Sequence, residues 1–129
     1  MEKDFVEYLE ALALKELGFN EKCLAGYNKE LLTDDGRVLN NIFIMYGGSV
    51  NYNIGDEVIS APLKSQAFRW FREKYNLVFN FISYNIVKPR EYHWSITWND
   101  EAKATGIVKT YEEAELACLK KLIEIVKEK

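Results

Sequence analysis

Histidine is almost missing from this chain, with His93 the single copy in 129 residues. A zinc centre wants three or four Cys, His or carboxylate ligands at short spacings, and the sequence contains no such cluster. A lone histidine also lacks the orienting partner that a catalytic base needs, so no catalytic residue is expected. Cysteine is as scarce, and Cys23 and Cys118 define no disulfide framework. Cys118 falls on the apolar side of a helical segment, where a free thiol behaves as a small buried hydrophobe. Cys23 falls in a stretch without period, where a thiol can be buried or exposed. The two prolines are too few for long disordered tracts. No apolar run reaches the roughly 18 residues of a membrane span. The N-terminal stretch carries acids throughout and has neither a basic n-region nor a small-residue cleavage site, so the expected compartment is the cytoplasm.

Excess positive charge is absent too. The net charge is −3, which is neither a nucleic-acid signature nor an acidic tail. Its distribution is uneven. Residues 1–60 hold 5 basic and 11 acidic side chains, and residues 61–129 hold 12 and 9. The simplest reading is attraction between the two halves of one fold.

Apolar and aromatic material is plentiful, at 48% and 14% of residues, enough for the core of a single domain spanning residues 1–129. The chain is organised around residues 60–99, which hold all three tryptophans. Leu63, Ala67, Phe68, Trp70, Phe71 and Tyr75 share half of a helical wheel, which predicts a helix over residues 62–75. Ser60 suits its cap, and Pro62 suits its first turn. A β-hairpin over residues 77–98 follows. Tyr92, Trp94, Ile96 and Trp98 alternate with His93, Ser95 and Thr97, and Lys88, Pro89 and Arg90 make the turn. In residues 77–87 the alternation changes phase, which predicts either a bulge near Phe81 or burial of both faces.

Elsewhere, Phe5, Val6, Leu9, Leu12, Ala13 and Leu17 place an amphipathic helix over residues 2–17, stopped by Gly18. Residues 19–28 read as irregular, and residues 38–59 as two or three short strands or equally as a long ordered loop with one strand. Residues 103–109 suit a third strand. Thr110 and Glu113 form a capping box ahead of a helix over residues 111–128. That helix is apolar around more than half its circumference, so it must bury itself against the sheet, another helix or a partner chain. The expected class is α+β, a mainly antiparallel sheet around the 77–98 hairpin packed with three helices.

Other motifs resolve into local structure. Glu112, Glu113 and Glu115 suit the positive end of a helix dipole. Asp34-Asp35-Gly36 lacks the further oxygen ligands of a calcium loop. Gly47-Gly48 lacks the Lys-Ser/Thr of a phosphate loop. No cofactor is implied. The aromatic row of Tyr92, Trp94, Ile96 and Trp98 reads first as one packed face of a sheet. Its alternative is a stacking platform for single-stranded nucleic acid, flanked by Arg69, Lys88, Arg90 and Lys103. On that reading the contacts are Arg69, Arg72, Lys88, Arg90, Trp94 and Trp98; the same residues would serve a protein partner or self-association as a homodimer.

Two resemblances bear on function. From residue 61 the order helix, strand, strand, strand, helix is similar to that of a double-stranded-RNA-binding domain. The position where such domains carry lysines is here the acidic Tyr111-Glu112-Glu113-Ala114, which would repel phosphates, so the likeness is one of topology. A wider resemblance rests on three phrases: ALKELGF from Ala13 to Phe19, QAFRWFREKY from Gln66 to Tyr75, and TYEEAE from Thr110 to Glu115. With them the chain resembles a family of small uncharacterised proteins from phages, prophages and gut bacteria. That resemblance implies a small cytoplasmic accessory protein acting by binding, and it assigns no residue a role.

Overall fold

The first helix starts later than its apolar pattern suggests. In the structure, a computed structural model describing residues 2–28, 31–32, 38–39, 42–45, 48–55, 57–84, 91–99 and 101–128, Glu2–Asp4 is a 3-10 turn. Phe5 then bridges Leu63 in antiparallel fashion, and the Val6 N–H donates to the Pro62 carbonyl at 2.9 Å. Phe5 and Val6 are buried as expected, but through an extended backbone. Helix α1 therefore spans only Tyr8–Glu16. It ends in paired hydrogen bonds from Gly18 N–H to Lys15 O and from Phe19 N–H to Leu14 O, both 3.0 Å. Gly18 takes φ 93, a conformation glycine adopts without a Cβ clash.

The chain divides into two compact units, Met1–Ala67 and Phe68–Lys129. In the first, strands β1 (Ala25–Asn28), β4 (Ile42–Ile44) and β5 (Val58–Ala61) form an antiparallel sheet of order β4-β1-β5. Strands β2 (Leu31–Leu32) and β3 (Val38–Leu39) pair separately. The irregular stretch expected over residues 19–28 thus ends in a strand. It does so because Tyr27 pairs with both Ile42 and Ile59, which are distant in sequence. The Tyr27 hydroxyl donates to the Val6 carbonyl at 2.9 Å, and its ring meets Tyr8 edge-on at 5.5 Å.

Ser60 is not a helix cap. It lies in β5, where its N–H donates to Asn53 Oδ1 and its hydroxyl accepts the Tyr52 N–H, both at 2.8 Å. Helix α2 (Lys64–Tyr75) accordingly starts beyond Pro62. Asp34, Asp35, Gly36 and Gly47 lie outside the described residues.

The second unit holds the antiparallel sheet expected around the hairpin, so the protein is α+β. Strand β6 (Leu77–Tyr84) pairs with β7 (Glu91–Trp98) in unbroken register, from Leu77 opposite Trp98 to Tyr84 opposite Glu91. The phase change near Phe81 therefore marks no bulge. The irregularity lies across the sheet, between β7 and β8 (Glu101–Val108). Ile96 faces Ala104 and Thr97 faces Ala102, so Lys103 has no partner of its own.

Helix α3 (Tyr111–Lys127) packs on β7 and β8. Thr110 caps it by accepting the Glu113 N–H at 3.1 Å, while the Glu113 carboxylate reaches back to the Lys109 N–H at 3.3 Å. Its apolar positions Ala114, Cys118, Leu119, Leu122, Ile123 and Val126 are buried within this chain. No partner chain is needed to cover them.

The face beneath α3 carries Leu77, Trp94 and Ile96, all buried. Trp94 stands opposite Gly106, and its indole occupies the space a side chain there would take: a Cβ at Gly106 would lie 2.5 Å from Trp94 Cε2. Gly106→Ala is therefore expected to destabilise the protein by about 1–3 kcal/mol, seen as a lower urea midpoint. Thr110→Ala should cost about 1 kcal/mol through the lost cap. Gly55→Ala, whose Cβ would meet nothing within 4 Å, should leave the midpoint in place.

Candidate functional site

Past the irregularity at Ile96, the end of the second sheet opens. Leu77 and Trp98, the last pair of β6 and β7, sit between two asparagines with left-handed backbones, Asn76 at φ 56 and Asn99 at φ 51. Asn76 closes α2, its N–H donating to Arg72 O at 3.1 Å, and Asn99 starts the turn into β8. Asparagine tolerates this conformation better than most residues. The two side chains join, Asn76 Nδ2 donating to Asn99 Oδ1 at 3.0 Å, and this clasp fixes the sheet's end.

Beside it lies a groove of about 300 Å³ lined by Leu77, Trp98, Lys103, Lys121, Ile125 and Glu128. Leu77 is fully buried, Trp98 and Ile125 half-buried. The unpaired residue of β8 brings Lys103 onto Trp98, with Nζ 5.0 Å from the ring centroid. That spacing is within cation–π range. Bulges commonly re-aim a side chain in this way. Lys121 and Ile125 from α3, with Glu128 at its C-terminal cap, form the other wall.

Each ammonium has a carboxylate neighbour from its own element. Lys103 stands 3.9 Å from Glu101, and Lys121 is 3.1 Å from Glu124. Both lysine side chains are 36% exposed and both carboxylates more so. Exposed pairs of this kind contribute about 0–1 kcal/mol, so an arriving anion can compete for either lysine.

The expected contact residues are scattered. Trp94 is buried, because α3 packs on its strand and its indole fills the Gly106 position; it cannot stack a base. Trp98 is in the groove. Arg69 and Arg72 lie exposed on α2, Arg69 4.0 Å from Glu73. Lys88 and Arg90 lie outside the described residues. Sequence reasoning missed Lys121, whose signal was its position four residues before Ile125 on one helix face.

A second depression, of about 340 Å³, is lined by His93, Trp94, Ser95, Thr105, Gly106 and Ile107. Here His93 Nε2 approaches Glu91 Oε2 at 3.5 Å, with both side chains partly exposed. Among the described residues no group of three His, Cys, Asp or Glu could hold a metal ion. Nor is any described helix long and apolar enough to cross a membrane.

Both thiols are buried. Burial pushes Cys23 up to about 12, with Glu21 adding to the rise and a Ser60 hydrogen bond opposing it. Burial alone pushes Cys118 to about 12. Such groups are protonated at neutral pH and poor nucleophiles.

No protein-family model, curated protein or solved structure matches the chain.

The thiols set an alkaline limit on stability. Each holds its proton to a higher pH in the folded state than in the unfolded chain. Their contribution is therefore complete below the ordinary thiol value of 9.0 and is lost as pH rises toward 12. The urea midpoint should fall across that window, and Cys118→Ala should fall less steeply than wild type. Equal slopes would remove Cys118 as a cause.

Proposed function

We propose that this chain is a small, non-enzymatic accessory protein of the phage or prophage kind, acting in the cytoplasm by binding a ligand in the groove at Trp98. One observation carries the reading. A half-buried tryptophan, two lysines from different elements and an apolar floor converge on a concave site of about 300 Å³. Binding sites for small molecules combine apolar walls with placed polar groups; this one, with three apolar and three charged lining residues, is more polar than most and lies at the small end of their size range.

The chemistry elsewhere supports binding over catalysis. Both thiols are buried and held protonated, and His93 is paired with an exposed carboxylate on an open sheet face. Acid–base work favours a group shielded from water and tuned toward neutral pH.

A second reading, a nucleic-acid-binding module, draws on the exposed Arg69 and Arg72 of α2. Burial of Trp94 takes away one of the two tryptophans of the stacking row on which it relied.

Backbone and side-chain NMR with indole, indole-3-acetate and tryptamine at millimolar concentration tests the groove. The expected result is that at least one of the three shifts the Trp98 indole N–H together with Ile125, and that Ile125→Trp, which fills the groove, abolishes the shift. Silence from all three probes would sink the proposal. Salt-sensitive retardation of oligo(dT), lost in Arg69→Gln/Arg72→Gln, would establish the second reading in its place.

A further inference from the structure

The geometry points to a small aromatic carboxylate as the ligand of this groove, an inference that rests on the binding reading above. Size comes first. A volume of about 300 Å³ takes one ring system with a short substituent and is too small for a run of stacked bases. Apolar surface comes next. Ile125 and the accessible part of Trp98 offer a planar ring contacts that displace water, which a purely polar anion could not use.

Charge decides the rest. The groove is lined by two ammonium groups and one carboxylate, Glu128; Glu101 and Glu124 stand beside the ammonium groups as exposed partners, which an entering carboxylate would replace. The ammonium groups stand on different elements, Lys103 on β8 and Lys121 on α3, so a carboxylate entering between them gains from both. Lys103 is at 3.9 Å from Glu101, beyond hydrogen-bonding distance, and it rests on the Trp98 ring. It is thus poised beside the surface on which an aromatic body would lie. An aromatic cation would face both lysines, and Glu128 is the one carboxylate in the groove lining. A doubly charged phosphate would be repelled by Glu128, whereas a monoanion would leave that carboxylate free to accept a ring N–H.

The irregularity in β8 gives this arrangement a structural origin. With regular pairing, successive residues of β8 would alternate between faces, and Lys103 would not share Trp98's side with Ala104. The unpaired residue breaks the alternation and sends a charged side chain onto the tryptophan.

The test compares Kd values from NMR titration of the full chain with indole-3-acetate, indole, tryptamine and phenyl phosphate. Indole-3-acetate should bind at least about tenfold more tightly than indole, with tryptamine and phenyl phosphate weaker than indole-3-acetate. Lys103→Met and Lys121→Met should each lower the ratio of indole to indole-3-acetate Kd values, and the double variant should bring it to about one, with indole still shifting Trp98 in each variant. Raising the salt from 50 to 500 mM should weaken indole-3-acetate and not indole. Indole, tryptamine or phenyl phosphate binding as tightly as indole-3-acetate would overturn the inference and leave the groove as a binding site of another class. An advantage that survives in the double variant would overturn it as well. If none of the probes shifts Trp98, the binding reading beneath it fails too.

Discussion

The second unit depends on the fit between the indole of Trp94 and the missing side chain of Gly106. The two residues are direct partners across β7 and β8, and the ring lies where a Cβ would otherwise stand. That fit ties the two strands together on the side where α3 packs. A one-residue slip would drive the indole into a side chain, so the register up to Ile96 is tightly specified. Beyond Ile96 the constraint lapses, an extra residue is accommodated, and the sheet end becomes a groove. Order in the middle of the sheet and openness at its end are two sides of one packing decision.

Much of this unit was legible in the sequence because its signals are local. The helix carrying Phe68, Trp70 and Phe71, the alternation from Tyr92 to Trp98 and the Thr110 cap each need only a few neighbouring residues to be read. The first unit was harder. Whether Tyr27 belongs to a strand depends on Ile42 and Ile59, and Ser60 looks like a cap until Tyr52 and Asn53 are seen to take its polar groups. Phe5 and Val6 fit a helical wheel and are buried, yet their backbone bonds to residues 62 and 63. A wheel records which side chains are apolar and is blind to the hydrogen bonds that fix the backbone.

The site divides along the same line. Trp94 and Trp98 share a face and differ by four residues, so alternation alone could not separate them. What separates them is the residue opposite: Gly106 for Trp94, and for Trp98 the pair Leu77 and Glu101 beside an unpaired Lys103. One tryptophan is consumed by packing and the other is left partly open to solvent. Lys121 was overlooked for a related reason: its spacing from Ile125 places the two on one helix face, but that face becomes part of a site only when a strand end arrives beside it. Meanwhile the groups with reactive potential, Cys23 and Cys118, are placed where burial holds their protons on.

One tryptophan of three, Trp98, is accessible, and Lys103 and Lys121 stand beside it. Collisional quenching of the fluorescence by iodide and by caesium at matched ionic strength tests it directly. Trp70 and Trp94, at 4% and 9% exposure, should contribute little to either curve. Iodide should quench markedly more than caesium, and Trp98→Phe should remove the difference. Equal quenching by the two ions, or an iodide preference that persists in Trp98→Phe, would contradict it.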